Sequence, residues 1–192
     1  MRAARQLRVV IIGAGPGGLC AGICLRQTGF DDFLILEKSD GVGGTWQHNR
    51  YPGAECDVPS HLYSFSFAPK ADRTKPYAPQ PEIRAYLEDC VERYGLRPHL
   101  RLSTAVRLAV WSDSAARWRV ETAAGEVLEA DVLVAAVGMF NELHWPDIPG
   151  LDDFAGTRFH SARWNHDHDL SGETVGVIGS AASAVQFVPE IA

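Results

Sequence analysis

Residues 7–18 read LRVVIIGAGPGG, and this stretch decides the fold. Val9, Val10, Ile11 and Ile12 form an apolar run too short for a helix and rich in β-branched residues, the pattern of a parallel strand buried on both faces. Gly13, Gly15 and Gly18 then fall at GxGxxG spacing. Gly13 serves a tight turn, Gly15 a close approach of backbone to a pyrophosphate, and Gly18 the close packing of helix on strand. A helix is predicted from Pro16 and Gly17 to about Thr28, with Gly29 as its stop, and a phosphate is expected at its N-terminus. A second apolar run, Phe33 to Leu36, ends in Glu37 and Lys38. Glu37 stands about 20 residues after Gly18, where a carboxylate for a ribose hydroxyl is expected. Strand, glycines, helix, strand and acid in this order separate a dinucleotide fingerprint from a chance glycine loop. They leave open which dinucleotide binds, and the acid argues only against a 2′-phosphate at this site.

The chain has 192 residues, enough for one large domain or one and a fraction, with 46% hydrophobic residues for a core. Eighteen basic and 24 acidic residues leave a net charge of −6. The basic residues are scattered, which speaks against nucleic acid as a partner. No apolar stretch reaches the length of a membrane span, and the Met1-Arg2 start leads into a short strand and not a signal-peptide core, so a cytoplasmic protein is expected. Cys20, Cys24, Cys56 and Cys90 form no CxxC, and the first two, a helical turn apart, read as small buried thiols. Neither a disulfide framework nor a metal site is expected.

Residues 39–81 are rich in Gly, Pro, Tyr and Ser and lack periodicity, and loops of this length in a compact domain are usually functional. Within them Gly43, Gly44 and Thr45 can bring backbone close to a flat ligand. Trp46, Tyr51 and Tyr63 offer aromatic faces with polar handles, although Trp46 or Phe65 taken alone reads more readily as core. Asp57 reads either as an Asx-turn residue or as a carboxylate held beside a cofactor. The pattern GGTWxxNRYPGxxCDxPSxxYSFSF, over residues 43–67, resembles the flavin-contacting loop of Baeyer-Villiger monooxygenases, the class B FAD-dependent enzymes. Disulfide oxidoreductases typically carry GGTC there, and Trp46 disfavours that branch.

Further on, Ile83, Leu87 and Val91 mark a helix over 80–94, stopped by Gly95. Short β-rich pieces at about 105–111, 118–122 and 126–130 predict a β-meander. By resemblance this meander covers one side of the FAD domain, and Val106 meets the adenine through its backbone. Asp131 to Val137 reads as another buried strand, and Gly138 lets backbone approach the cofactor where the family often has ATG. Trp145 onward reads as an interdomain linker. Phe154, Gly156, His160 and Trp164 fit FxGxxxHxxxW, similar to the Baeyer-Villiger fingerprint, with Asn165 where that fingerprint usually has Pro or Asp. His160 is read as acting through linker conformation and not in the chemical step. A second strand-turn-helix follows: Thr174 to Ile178, then Gly179, Ser180, Ala181, Ala182, Ser183 and Ala184, then a helix. It resembles the family's NADPH-binding turn, with Ala181 where a glycine normally lets the pyrophosphate come close.

The fold expected is thus α/β: a Rossmann-like FAD-binding domain with a β-meander over 1–145, a linker over 146–170, and the first βα unit of an NAD(P)-binding domain over 171–192. The resemblance implies an enzyme using FAD, NADPH and O₂ to insert one oxygen atom into a ketone, giving an ester or lactone. Asp57 matches the residue that orients a catalytic arginine, which in the family lies downstream of the second glycine turn. The chain is therefore expected to be an N-terminal portion, not competent alone. An N- or S-oxidising flavin monooxygenase and a catalytically silent nucleotide-binding module are the alternatives.

Overall fold

The computed structural model describes residues 8–192. Leu7 and the Met1-Arg2 start, read above as lacking a signal-peptide core, lie outside the described residues. Two compact units make up the chain, Met1–Gln47 with Arg84–Met139, and His48–Ile83 with Phe140–Ala192. No helix among the described residues is long and apolar enough to cross a membrane.

The first unit is built on the opening strand. β1 (Val9–Ile12) pairs in parallel with β2 (Phe33–Leu36) on one side and β7 (Val132–Ala135) on the other, with Val10 opposite Leu34 and Leu133. β3 (Leu100–Arg101) extends the sheet beside β2, so the order is β3-β2-β1-β7. Side chains alternate between the two faces of a strand. On one face α1 (Pro16–Gln27) closes over Phe33 and Ile35. Gly22 permits this, since a Cβ there would stand 2.8 Å from Ile35 Cδ1 and 3.3 Å from Phe33 Cε2. On the other face Val10 and Leu36 pack with Val120, Leu128 and Ala130 of the antiparallel meander β4 (Val106–Ser112), β5 (Arg117–Thr122) and β6 (Val127–Ala130). A sheet covered on both faces must have apolar residues at every position, which is why β1 and β2 show no polar alternation. Ile11, Leu19, Ile23 and Ile35 are fully buried, and burial of this kind contributes about 1.5–3 kcal/mol per side chain.

The second unit holds the loop that continues from α2 (Thr45–His48) and ends on α4 (Ala182–Ile191). Its core is the cluster of Tyr51, Ala54 and Phe187, with Trp164, Ala184 and Ile191 packed against it. α3 (Gln80–Arg93) starts in the second unit, continues in the first, and buries Ile83, Leu87, Cys90 and Val91.

Several expectations are corrected. The expected strand at 174–178 does not form: these residues join no sheet, and Val175, Val177 and Ile178 are exposed. A parallel strand exists only through hydrogen bonds to neighbours, and no described strand lies against it. The buried strand expected over 131–137 is confined to Val132–Ala135 and is not buried: Val132 and Ala135 are exposed and the two residues between them half-buried. β3 went unforeseen because two residues carry no periodicity. Cys24 is exposed and Cys20 half-buried, while Cys56 and Cys90 are buried as small hydrophobes.

Candidate functional site

The link from β1 to α1 is held from three sides. Gly13 adopts φ +102°, a conformation that side chains rarely allow, and a Cβ there would lie 2.5 Å from the Ala136 carbonyl oxygen just past β7. Gly18 has a stricter requirement, since a Cβ on it would lie 1.9 Å from the Gly13 carbonyl oxygen. From β2, the Gly13 N–H donates to the Leu36 carbonyl at 2.8 Å, and the Ala14 N–H donates to Glu37 Oε2 at 2.7 Å. The other oxygen of this buried carboxylate accepts from the Ser39 N–H at 2.8 Å. From the following loop, the Gly43 N–H donates to the Ala14 carbonyl at 2.9 Å, and a Cβ on Gly44 would lie 3.0 Å from Gly15 Cα.

The sequence assigned Glu37 to a ligand and missed this second task. Its legible signal was an acid directly after a buried strand and beside a turn with surplus N–H donors, since charge-assisted bonds to backbone amides are the strong ones. A carboxylate has about four lone-pair sites, so two remain for a ribose.

A pyrophosphate fits the N-terminus of α1. The first N–H groups of a helix have no intrahelical acceptor, Pro16 at the first position has none to offer, and no side chain stands on Gly15, Gly17 or Gly18. A Cβ on exposed Gly17 or Gly138 would meet nothing within 4 Å, in contrast to the blocked positions at Gly13 and Gly18. Lys38 and Thr45 are exposed, and Trp46 is buried at the start of α2. Val106 begins β4 beside an irregularity in its pairing and packs on the cluster that contains Leu36.

The remaining candidates belong to the second unit. Tyr51 is no open ligand face: it is buried edge-on to Phe187, and its hydroxyl donates to Gln186 Oε1 at 2.8 Å. Tyr63 is half-buried, and its carbonyl accepts from Arg73. Asp57 is exposed at a bend. The Asx-turn reading fails there, because the amide two residues on belongs to Pro59, which has no N–H. The bend is instead shaped by Cys56, whose sulfur accepts from the Val58 N–H at 3.4 Å and whose thiol pKa is pushed up by burial. In the linker, His160 Nδ1 accepts from the Ala162 N–H at 3.1 Å, and burial, then the nearby charge of Arg163, lowers its pKa.

Gly179, Ser180, Ala181, Ser183 and Ala184 copy the first turn in backbone alone. Gly179 has φ +111°, and Ala181 caps α4 at φ −76°, ψ 178°, against φ −73°, ψ −179° for Gly15 at the cap of α1. Residues 10–192 match the pyridine nucleotide-disulphide oxidoreductase family. A Baeyer-Villiger monooxygenase of Streptomyces coelicolor is 52% identical over 97% of the chain. The chain belongs to this family and groups with its Baeyer-Villiger monooxygenases. It spans 36% of the length of that relative.

Two solved structures extend the likeness of this family member to three dimensions. The ε-caprolactone-bound cyclohexanone monooxygenase in its Loose conformation superposes with a TM-score of 0.86 at 40% identity, over 95% of this chain and 37% of that one. The OTEMO complex with FAD and NADP gives 0.89 at 34% identity, over 98% and 37%. In this chain Trp46 follows GGT, and Cys20, Cys24, Cys56 and Cys90 are free thiols.

Proposed function

We propose that this chain is the FAD-binding N-terminal portion of a Baeyer-Villiger-type monooxygenase, whose whole protein uses NADPH and O₂ to convert a ketone into an ester or lactone. The observation that carries the reading is the Gly13–Gly18 turn, locked by Glu37, Ala136 and Gly43 while its helix N-terminus stays clear of side chains. FAD, when bound, supplies the oxygen-activating chemistry. The chain's residues bind and orient it. The α1 amides at Gly17 and Gly18 hold the pyrophosphate, with Gly15 and Pro16 leaving it room. Glu37 takes the ribose through its spare lone pairs, with Lys38 beside it. Gly44, Thr45, Trp46 and Tyr63 line the flavin, Val106 meets the adenine through its backbone, and Gly138 admits the cofactor on the β7 side. Asp57 orients an arginine from the rest of the protein and, like Trp46, faces the cofactor. Gly179, Ser180, Ala181, Ser183 and Ala184 form the turn for NADPH. The whole protein is read as cytoplasmic.

The test is flavin retention. Purified protein is expected to carry a visible flavin spectrum that is released on denaturation. A colourless preparation that also fails reconstitution with excess FAD overturns the reading. Gly15→Val is expected to abolish retention while the fold persists, because Gly15 has an ordinary φ of −73° and its Cβ would meet Gly44 Cα only at 3.6 Å. Unchanged retention counts against the pyrophosphate contact.

A further inference from the structure

The second unit contains a clamp that the proposed chemistry does not use. Gln186 lies one turn into α4, and its side-chain amide makes three hydrogen bonds, all with a single loop. Oε1 accepts from the Tyr51 hydroxyl at 2.8 Å and from the Glu55 N–H at 3.4 Å, while Nε2 donates to the Glu55 carbonyl at 2.9 Å. The backbones meet here as well: a Cβ on Gly53 would lie 2.9 Å from the Gln186 carbonyl oxygen and 2.8 Å from Glu190 Cγ. Beyond Glu55 the chain is tied down by the Cys56 N–H to the Ala78 carbonyl at 2.9 Å and by the Val58 N–H to Cys56 Sγ. Asp57 sits between those ties with its carboxylate exposed. Its place therefore depends on backbone bonds, one pair of which is made by α4.

We propose that Gln186 is a positioning residue: it fixes the Asp57-bearing loop to the first turns of the helix that opens at Gly179–Ala184, so that filling this turn and placing Asp57 are one event. The inference rests on the reading of Asp57 and of the second turn given above. Through Gln186 the nucleotide side of α4 reaches the loop that carries Asp57. A glutamine suits the task because its neutral amide donates and accepts at once, matching both the N–H and the carbonyl of Glu55. Apolar packing of Tyr51 on Phe187 would hold the unit together without it.

The experiment compares the FAD-loaded chain with its Gln186→Met and Gln186→Glu variants by amide hydrogen exchange and thiol alkylation, each read by mass spectrometry, with and without saturating NADP⁺. Gln186→Met is expected to speed exchange at Glu55 and alkylation of Cys56 at least tenfold, with flavin retention and Cys90 reactivity unchanged. In Gln186→Glu only the protonated carboxyl can donate to the Glu55 carbonyl, so Glu55 exchange is expected to slow as pH falls. Neither glutamine nor methionine gives such a profile. NADP⁺ is expected to slow Glu55 exchange in the parent chain and not in Gln186→Met. Unchanged exchange in Gln186→Met, a flat pH profile in Gln186→Glu, or equal NADP⁺ protection, or none, in parent and Gln186→Met overturns the proposal. Failure of the parent chain to retain flavin removes the FAD reading and leaves the Gln186 result standing on its own.

Discussion

Gly13 and Gly179 sit at φ +102° and +111°, Gly15 and Ala181 cap their helices with nearly the same angles, and Leu19 N–H to Gly15 carbonyl (3.0 Å) is matched by Val185 N–H to Ala181 carbonyl (3.2 Å). The two turns have one local conformation. Around the first stand β2, β7 and the Gly43–Gly44 loop; around the second, residues 174–178 lie exposed without strand partners. Gly18 touches backbone at a distance no side chain survives, whereas Ala184 occupies the matching position and packs its methyl against Tyr51, Ala54 and Phe187. A turn's dihedrals are thus a local property of its glycines. Its value as a nucleotide seat comes from the elements that brace it.

The sharpest way to break this comparison is to exchange the residues at the last matching position, Gly18 and Ala184. Gly18→Ala is expected to unfold the first unit or displace α1, since a contact of 1.9 Å with backbone has no flexible partner to yield. Ala184→Gly should cost about 1 kcal/mol, the difference in helix propensity, in thermal or chemical denaturation. Comparable losses at both sites would erase the distinction. Next in size is Glu37→Ala, which leaves the Ala14 and Ser39 amides without their acceptor. Each buried orphaned donor costs about 1–3 kcal/mol, so a clear fall in the denaturation midpoint is expected together with weakened flavin retention, and no variant in the second turn should reproduce it.

A smaller effect is expected from Ala181→Gly. Because Ala181 already holds the dihedrals of Gly15, removing its methyl should leave the fold intact and tighten NADP⁺ binding several-fold by isothermal titration, giving the pyrophosphate the room it has at the first turn. Weaker binding would show that the methyl is a contact and not an obstacle. The smallest effect concerns pH. Burial and then Arg163 favour neutral His160 in the folded chain, whose Nδ1 accepts from Ala162. Its folded pKa lies below the unfolded value of about 6.5, so the stability it contributes is complete above that value and is lost as pH falls from there through the lower, folded pKa. An NMR titration should place the His160 midpoint below 6.5, with the turn at Ser161–Arg163 loosening as the imidazole protonates and the Gly13–Gly18 turn unaffected.

The first unit was largely legible because its signals are short in range. Val9–Ile12, the glycine spacing and Phe33–Leu36 each announce an element within a few residues, and the meander shows itself by alternation. Less legible was the stretch after Gly44. Its tyrosines read as ligand faces, yet Tyr51 is spent on Phe187 and Gln186, more than 130 residues away, and no local pattern announces such a partner. Asp57 illustrates the reverse error: Pro59, visible in the sequence, had already removed the amide an Asx-turn requires.

By itself the sequence determined the dihedrals of both turns, the start of both helices and the apolar faces of the central strands, because these follow from glycine, proline and β-branched residues acting on their immediate neighbours. Only the tertiary structure decided that Glu37 braces the first turn, that Gly18 admits no methyl, that 174–178 remains unpaired and that Gln186 holds the loop of Asp57. Each of these depends on a backbone N–H, carbonyl or strand edge supplied from a distant part of the chain, and which groups meet is a matter of packing that no local pattern encodes.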